Sequence, residues 1–207
     1  MLPLDIQLLF LTTALLLGLG PGPDNLFVMA QAAQHGARAG LLVTAGLCTG
    51  LLVHTAAVAL GLAALFAASQ LAFTALTFAG AAYLLYLAWQ AWRGASSSLL
   101  PATDPASYAK LYRRGVIMNL SNPKVSIFFL AFLPQFAAPA RGPLAPQLLL
   151  LGALFIVATI VVFGALSLLA GHFGERLRRL PAAQRWINRV AALLFLGLAL
   201  RLVFVSR

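Results

Sequence analysis

Apolar residues fill this chain in blocks of membrane length, and two of the blocks are broken in the middle by residues that a helix does not tolerate. The first block, residues 4–34, contains Pro21-Gly22-Pro23-Asp24-Asn25, and a later one, 115–136, contains Asn119-Leu120-Ser121-Asn122-Pro123-Lys124. Proline removes a backbone donor and clashes with the preceding turn, so both breaks leave backbone groups unpaired at bilayer depth. Between Arg38 and Arg93 there is no Asp, Glu, Lys or Arg, a stretch too long for one span and sufficient for two of ~20 residues each. With a turn at Ser69-Gln70, it predicts helices over 39–67 and 71–92, the second ending in the interfacial set Trp89, Trp92 and Arg93. Two further helices are predicted over 146–171 and 186–205, and Pro134 closes the broken helix before them.

The pattern therefore predicts an all-α integral membrane protein with six transmembrane helices, the first and fourth discontinuous. Residues 94–113, with Ser96-Ser97-Ser98, Pro101, Asp104, Pro105 and Lys110, show no sustained apolar face and read as a solvated linker. It separates a first three-helix repeat, 1–93, from a second, 114–207. Three helices per half make the second half enter the membrane from the opposite side, which is an inverted repeat.

Composition agrees with this reading and charge orients it. The 207 residues are 62% hydrophobic and 9% charged, with mean hydropathy +0.95, far from the roughly one-quarter charged content of soluble domains. The net charge of +10 does not form a stripe interleaved with exposed aromatics, which argues against a nucleic-acid partner. The basic residues collect where apolar runs stop: Arg38 after the first helix, Arg93, Lys110, Arg113 and Arg114 in the linker, and Arg176, Arg178, Arg179, Arg185 and Arg189 after the fifth. The positive-inside rule puts these loops in the cytoplasm and both termini outside it. The N-terminus lacks a basic n-region and carries Asp5, so the first segment is expected to stay as a membrane element. Cys48 is the only cysteine, which excludes an intramolecular disulfide. Monomer and homo-oligomer are both left open.

The breaks carry the candidate chemistry. Asp24 at a helix start can be an N-cap, which stabilises by ~1 kcal/mol, but a carboxylate near mid-membrane costs ~2.5–3.5 kcal/mol. A cap alone does not explain Asp in place of Ser or Asn. Lys124 lies ten residues past Arg114, ~15 Å of helix, so its ammonium sits near the midplane and needs an anionic partner. Asp24 is the acidic residue within reach, or a shared substrate bridges the two. Asn25, Asn119, Ser121 and Asn122 add donors and acceptors around them, and an α-amino acid zwitterion fits such a set. The substrate-binding candidates are thus Asp24, Asn25, Asn119, Asn122 and Lys124, held by the breaks at Pro21, Gly22, Pro23 and Pro123. His54 is either a proton relay, with Asp24, or a hydrogen-bonding bridge to a neighbouring helix. His35 and His172 fall at helix ends, where they are expected at the interface. Gly46/Gly50, Gly80/Ala81/Ala82 and Gly164/Ala165 read as close helix packing. No nucleophile triad, Walker loop, Cys-x-x-Cys pair or metal-ligand spacing occurs, so neither an enzyme nor a cofactor is expected and the energy source is a gradient.

These residues together resemble the lysine/threonine exporter (LysE/RhtB) family of bacterial amino-acid exporters. The resemblance runs from Pro21-Gly22-Pro23 through His54-Thr55, Gly80-Ala81-Ala82-Tyr83-Leu84 and Asn119-Leu120-Ser121-Asn122-Pro123-Lys124 to Leu133-Pro134-Gln135-Phe136. It implies a multi-pass inner-membrane exporter of neutral or basic amino acids, driven by the proton-motive force. One acid and one base at the breaks favour a neutral substrate such as threonine, homoserine or leucine over a dibasic one. The competing reading is a divalent-cation transporter, for which Asp24 and His54 are few ligands and Lys124 is repulsive.

Overall fold

The computed structural model describes residues 2–20, 22–68 and 107–177, with single positions between 78 and 93 and between 189 and 200. Every regular element among them is helical. The expected helices over 71–92 and 186–205, the linker up to residue 106 and Pro21 fall largely or wholly outside the described residues.

Both breaks occur where the prolines put them. Helix α1, Leu4–Leu19, ends at Gly20, whose backbone turns extended, and α2, Pro23–His35, starts with its proline in the first turn, where a missing N–H costs nothing. The axes of α1 and α2 differ by 62°. Helix α3, Ala37–Ala68, follows after Gly36, which adopts φ 85°. Helix α4, Tyr108–Ser121, starts well before the expected residue 115, because Ser107 caps it by accepting from the Lys110 N–H at 3.4 Å. The basic stretch Lys110–Arg114 is therefore helix. An apolar-face criterion missed it because capping and good helix formers build this end.

After Asn122 comes α5, Pro123–Ile127, bent 51° from α4 and continuing into a π-helical turn, Phe128–Phe132, and a 3₁₀ turn, Leu133–Phe136. The wide turn closes through the Leu133 N–H on the Phe128 carbonyl. Helix α6, Leu144–Leu177, completes the described core. Its apolar part, 29 residues, and that of α3, 25 residues, each reach beyond a ~30 Å hydrocarbon core. If each bent pair counts as one span, the described residues hold four candidate spans.

Side-chain contacts orient these elements. The Arg38 guanidinium lies 4.5 Å over the Tyr108 ring, and a Cβ on Gly171 would run into Ala37, so the starts of α3 and α4 share one end with the C-terminal part of α6. Phe10 meets Phe136 edge-on at 5.0 Å and thereby places the start of α1 with the 3₁₀ turn, at the opposite end. The two broken segments run in opposite directions.

Helices α3 and α4 touch backbone to backbone: a Cβ on Gly46 would overlap the Tyr112 carbonyl, and one on Gly115 the Val43 carbonyl. At Gly164 an added Cβ would meet nothing among the described residues. Arg93 stacks on Trp89 at 4.5 Å, and Trp89 and Trp92 are exposed, as an interfacial belt needs. Exposed Leu52, Leu60, Ile160, Val161 and Leu168 give an outer surface suited to hydrocarbon.

Two apolar clusters fill the interior. One is aromatic, with Phe10, Phe128, Phe129, Phe132, Phe136 and Phe155; the other, built on Val28, Val43, Leu47, Leu111, Val162 and Phe163, joins α2, α3, α4 and α6. The charged residues of the breaks lie where the clusters approach each other.

Candidate functional site

Breaking α1 leaves its last carbonyls without intrahelical donors, and in a membrane each must find a partner or cost several kcal/mol. The chain supplies them from both halves. Lys124 Nζ donates to the Leu17 carbonyl at 2.9 Å and to the Gly20 carbonyl at 3.0 Å, while Asn25 Nδ2 donates to the Gly18 carbonyl at 2.6 Å. The Gly20 N–H adds bonds to the Leu16 and Leu17 carbonyls. A cation at a helix C-terminus also opposes the negative end of the macrodipole. Lys124 thus seals the first break from the second half of the chain.

The second break is closed in a related way. His54 Nε2 meets the Asn119 carbonyl at 3.3 Å, and Ser121 Oγ takes the Ile117 carbonyl at 2.8 Å. Asn122 Oδ1 caps α5 by accepting the Lys124 N–H at 3.0 Å. The His54 ring lies 5.6 Å from that of Phe129, at the edge of the aromatic cluster. Of the two readings of His54, the bridge between helices is the contact present.

Asp24, in the first turn of α2, is 5% exposed, and Lys124 is 7% exposed. Asn119 Nδ2 donates to Asp24 Oδ2 across a long 3.5 Å bond. The other oxygens of this pair, Asp24 Oδ1 and Asn119 Oδ1, are buried acceptors with no donor among the described residues. Both residues line a cavity of about 30 Å³, together with Gly22, Asn25, Asn122 and Lys124. A cavity of that size holds about two waters.

All five proposed binding residues, with Gly22 of the first break, border one cavity, although two stretches of sequence nearly a hundred residues apart carry them. Pro21 lies outside the described residues, and Pro23 and Pro123 act as helix starters. His54 is not on the cavity wall; it reaches the site through Asn119. Three features escaped sequence reasoning. Gly50 reads in the sequence as a close-packing position, but the sequence does not show that the space it leaves holds the Asn119 amide, which a Cβ there would displace. Phe155, Thr159 and Phe163 of α6 form another cavity wall at helical spacing, a signal indistinguishable in sequence from ordinary lipid-facing helix. The carbonyls of Leu17 and Gly20 serve as acceptors for a charge more than a hundred residues away.

The comparisons with known proteins concur. The homoserine/homoserine lactone efflux protein of Salmonella typhimurium is 37% identical over 188 residues, covering 90% of each chain. A protein of Vibrio cholerae described as an uncharacterized membrane protein is 34% identical over 195 residues, covering 94% of each. No solved structure matches. With a LysE type translocator match spanning residues 15–206, nearly all of a helical chain whose breaks meet at one buried site, the chain belongs to the LysE type translocator family.

Proposed function

We propose that the chain exports a small neutral amino acid across the bacterial inner membrane by alternating access, in exchange for protons. The observation that carries this reading is a pair of buried acceptors without donors among the described residues, Asp24 Oδ1 and Asn119 Oδ1, on a cavity wall that Lys124 also lines. A substrate ammonium supplies the donors those oxygens lack. Its carboxylate is drawn toward Lys124 and the N-terminus of α2. Asn25 and Asn122, already bonded to backbone, keep the two breaks in shape. Asp24 releases the ammonium by taking a proton, which leaves the carboxyl neutral for the return step, with His54 a second candidate for carrying that proton.

The relatives' description as homoserine and homoserine lactone efflux proteins supports a neutral substrate. The divalent-cation alternative finds less support, since a cation in this cavity would sit beside Lys124. Efflux from preloaded proteoliposomes, run with panels of radiolabelled amino acids and divalent metals, separates the two. Export of a neutral amino acid without metal flux is the expected result, and metal flux without amino-acid flux overturns the proposal.

Orientation follows from the basic end of the bundle, where Arg38, Tyr108 and Gly171 gather, taken as cytoplasmic with both termini outside. In a Cys48→Ala background, a cysteine at the C-terminus is expected to react with an impermeant thiol reagent added to intact cells, and a cysteine replacing Ser97 is expected to stay unlabelled. The reverse pattern refutes the orientation.

A further inference from the structure

We propose that Thr159 selects the substrate's side chain: its hydroxyl recognises a hydroxyl on the substrate, so the site favours short hydroxylated amino acids over aliphatic ones of equal size. This rests on the amino-acid reading above and narrows it to a substrate class.

Serine and threonine in apolar helices usually satisfy their hydroxyls locally, on the carbonyl four residues back. This chain follows the habit at Thr12 (2.8 Å), Thr13 (2.8 Å), Thr44 (2.9 Å), Thr55 (2.7 Å), Ser126 (3.2 Å) and Ser167 (2.7 Å). Thr159 makes no such bond among the described residues. It is nevertheless 5% exposed and lines the cavity that holds Asp24, Asn119 and Lys124. Valine has the same shape and would suit an apolar helix better, so the hydroxyl calls for a partner that enters the cavity.

The surroundings set the size and nature of that partner. Phe155 and Phe163, one helical turn to either side of Thr159, line the same cavity and are each 6% exposed; Leu47 and Leu51 of α3 complete an apolar lining. Thr159 is therefore a single polar point on an apolar wall, while the charged groups of the breaks serve the ammonium and carboxylate common to every amino acid. Discrimination between side chains falls to this wall. A hydroxyl that both donates and accepts can pair with a substrate hydroxyl, and a site built for that bond disfavours the analogue lacking it.

The test compares substrates that differ by one hydroxyl at nearly constant shape, homoserine against norvaline and threonine against valine, as competitors for efflux in proteoliposomes. The unmutated protein is expected to prefer the hydroxylated member of each pair. Thr159→Val is expected to lower that preference roughly three- to tenfold, mainly through KM, with export of norvaline and valine retained, and Thr159→Ser to restore it. Equal losses for both members of a pair in Thr159→Val, without rescue by serine, would make Thr159 a packing residue and overturn the proposal. Transport of both members without preference by the unmutated protein overturns it too, while leaving the amino-acid reading intact. Absence of any amino-acid flux in the unmutated protein sinks both readings together.

Discussion

Asp24→Asn is expected to lower amino-acid export driven by a pH gradient by roughly ten- to a hundredfold, the loss that follows from removing one hydrogen bond to a charged group, worth ~1.5–3 kcal/mol. The substitution is a narrow one. Asp24 does not cap α2, whose N-cap is Gly22 with no side-chain bond, so Asn, which keeps the shape of the side chain and an oxygen for the Asn119 contact, leaves the helix start intact. What disappears is the negative charge that attracts an ammonium and the capacity to be neutralised by a proton. Export should therefore fall, and whatever flux remains should no longer respond to the pH gradient. Near-normal, gradient-driven export by a folded Asp24→Asn protein would reduce Asp24 to a structural polar residue of the first turn of α2 and remove the centre of the proposed mechanism.

Lys124→Met should have the larger effect on stability, because this ammonium joins the halves of the molecule. Its loss takes the ammonium from the Gly20 carbonyl and from the Leu17 carbonyl, which keeps only the Gly20 N–H, and leaves Asp24 without the cation that shares its cavity. Stripping one partner from a buried charged arrangement costs ~3–5 kcal/mol. A clear drop in the melting temperature in detergent is expected, with amino-acid export close to background. Lys124→Arg, which keeps a donor of the same charge in a bulkier form, should recover part of the melting temperature. If Lys124→Met melts like the unmutated protein, the helix-end bonds contribute little. If it instead carries metal flux equal to or above that of an unmutated protein inactive toward amino acids, the cation reading replaces the exporter.

Much of this architecture was determined by the sequence alone. Proline and glycine act on their own turn, so Pro23, Pro123 and Gly20 announce the two breaks without reference to the rest of the chain. Uncharged runs are likewise a local property, and they set the apolar spans of α3 and α6. The scarcity of charge inside those runs picked out Asp24 and Lys124, since a buried ion at bilayer depth is too costly to be incidental.

Tertiary structure decided what each of these residues touches. Lys124 shares a cavity with Asp24, as the sequence suggests, but that its ammonium also bonds the carbonyls of α1 follows only from the approach of that helix end across the interface between halves. Gly50 opposes Asn119 through the rotation and close crossing of α3 and α4, neither of which is a local property. The start of α4 at Tyr108 was hidden because a cap and charged helix formers, not an apolar face, build it. Thr159 was hidden most completely. A threonine that bonds its own helix and one that faces a cavity look the same in sequence, and only the packing of α6 against the two breaks turns the second into a candidate for substrate choice.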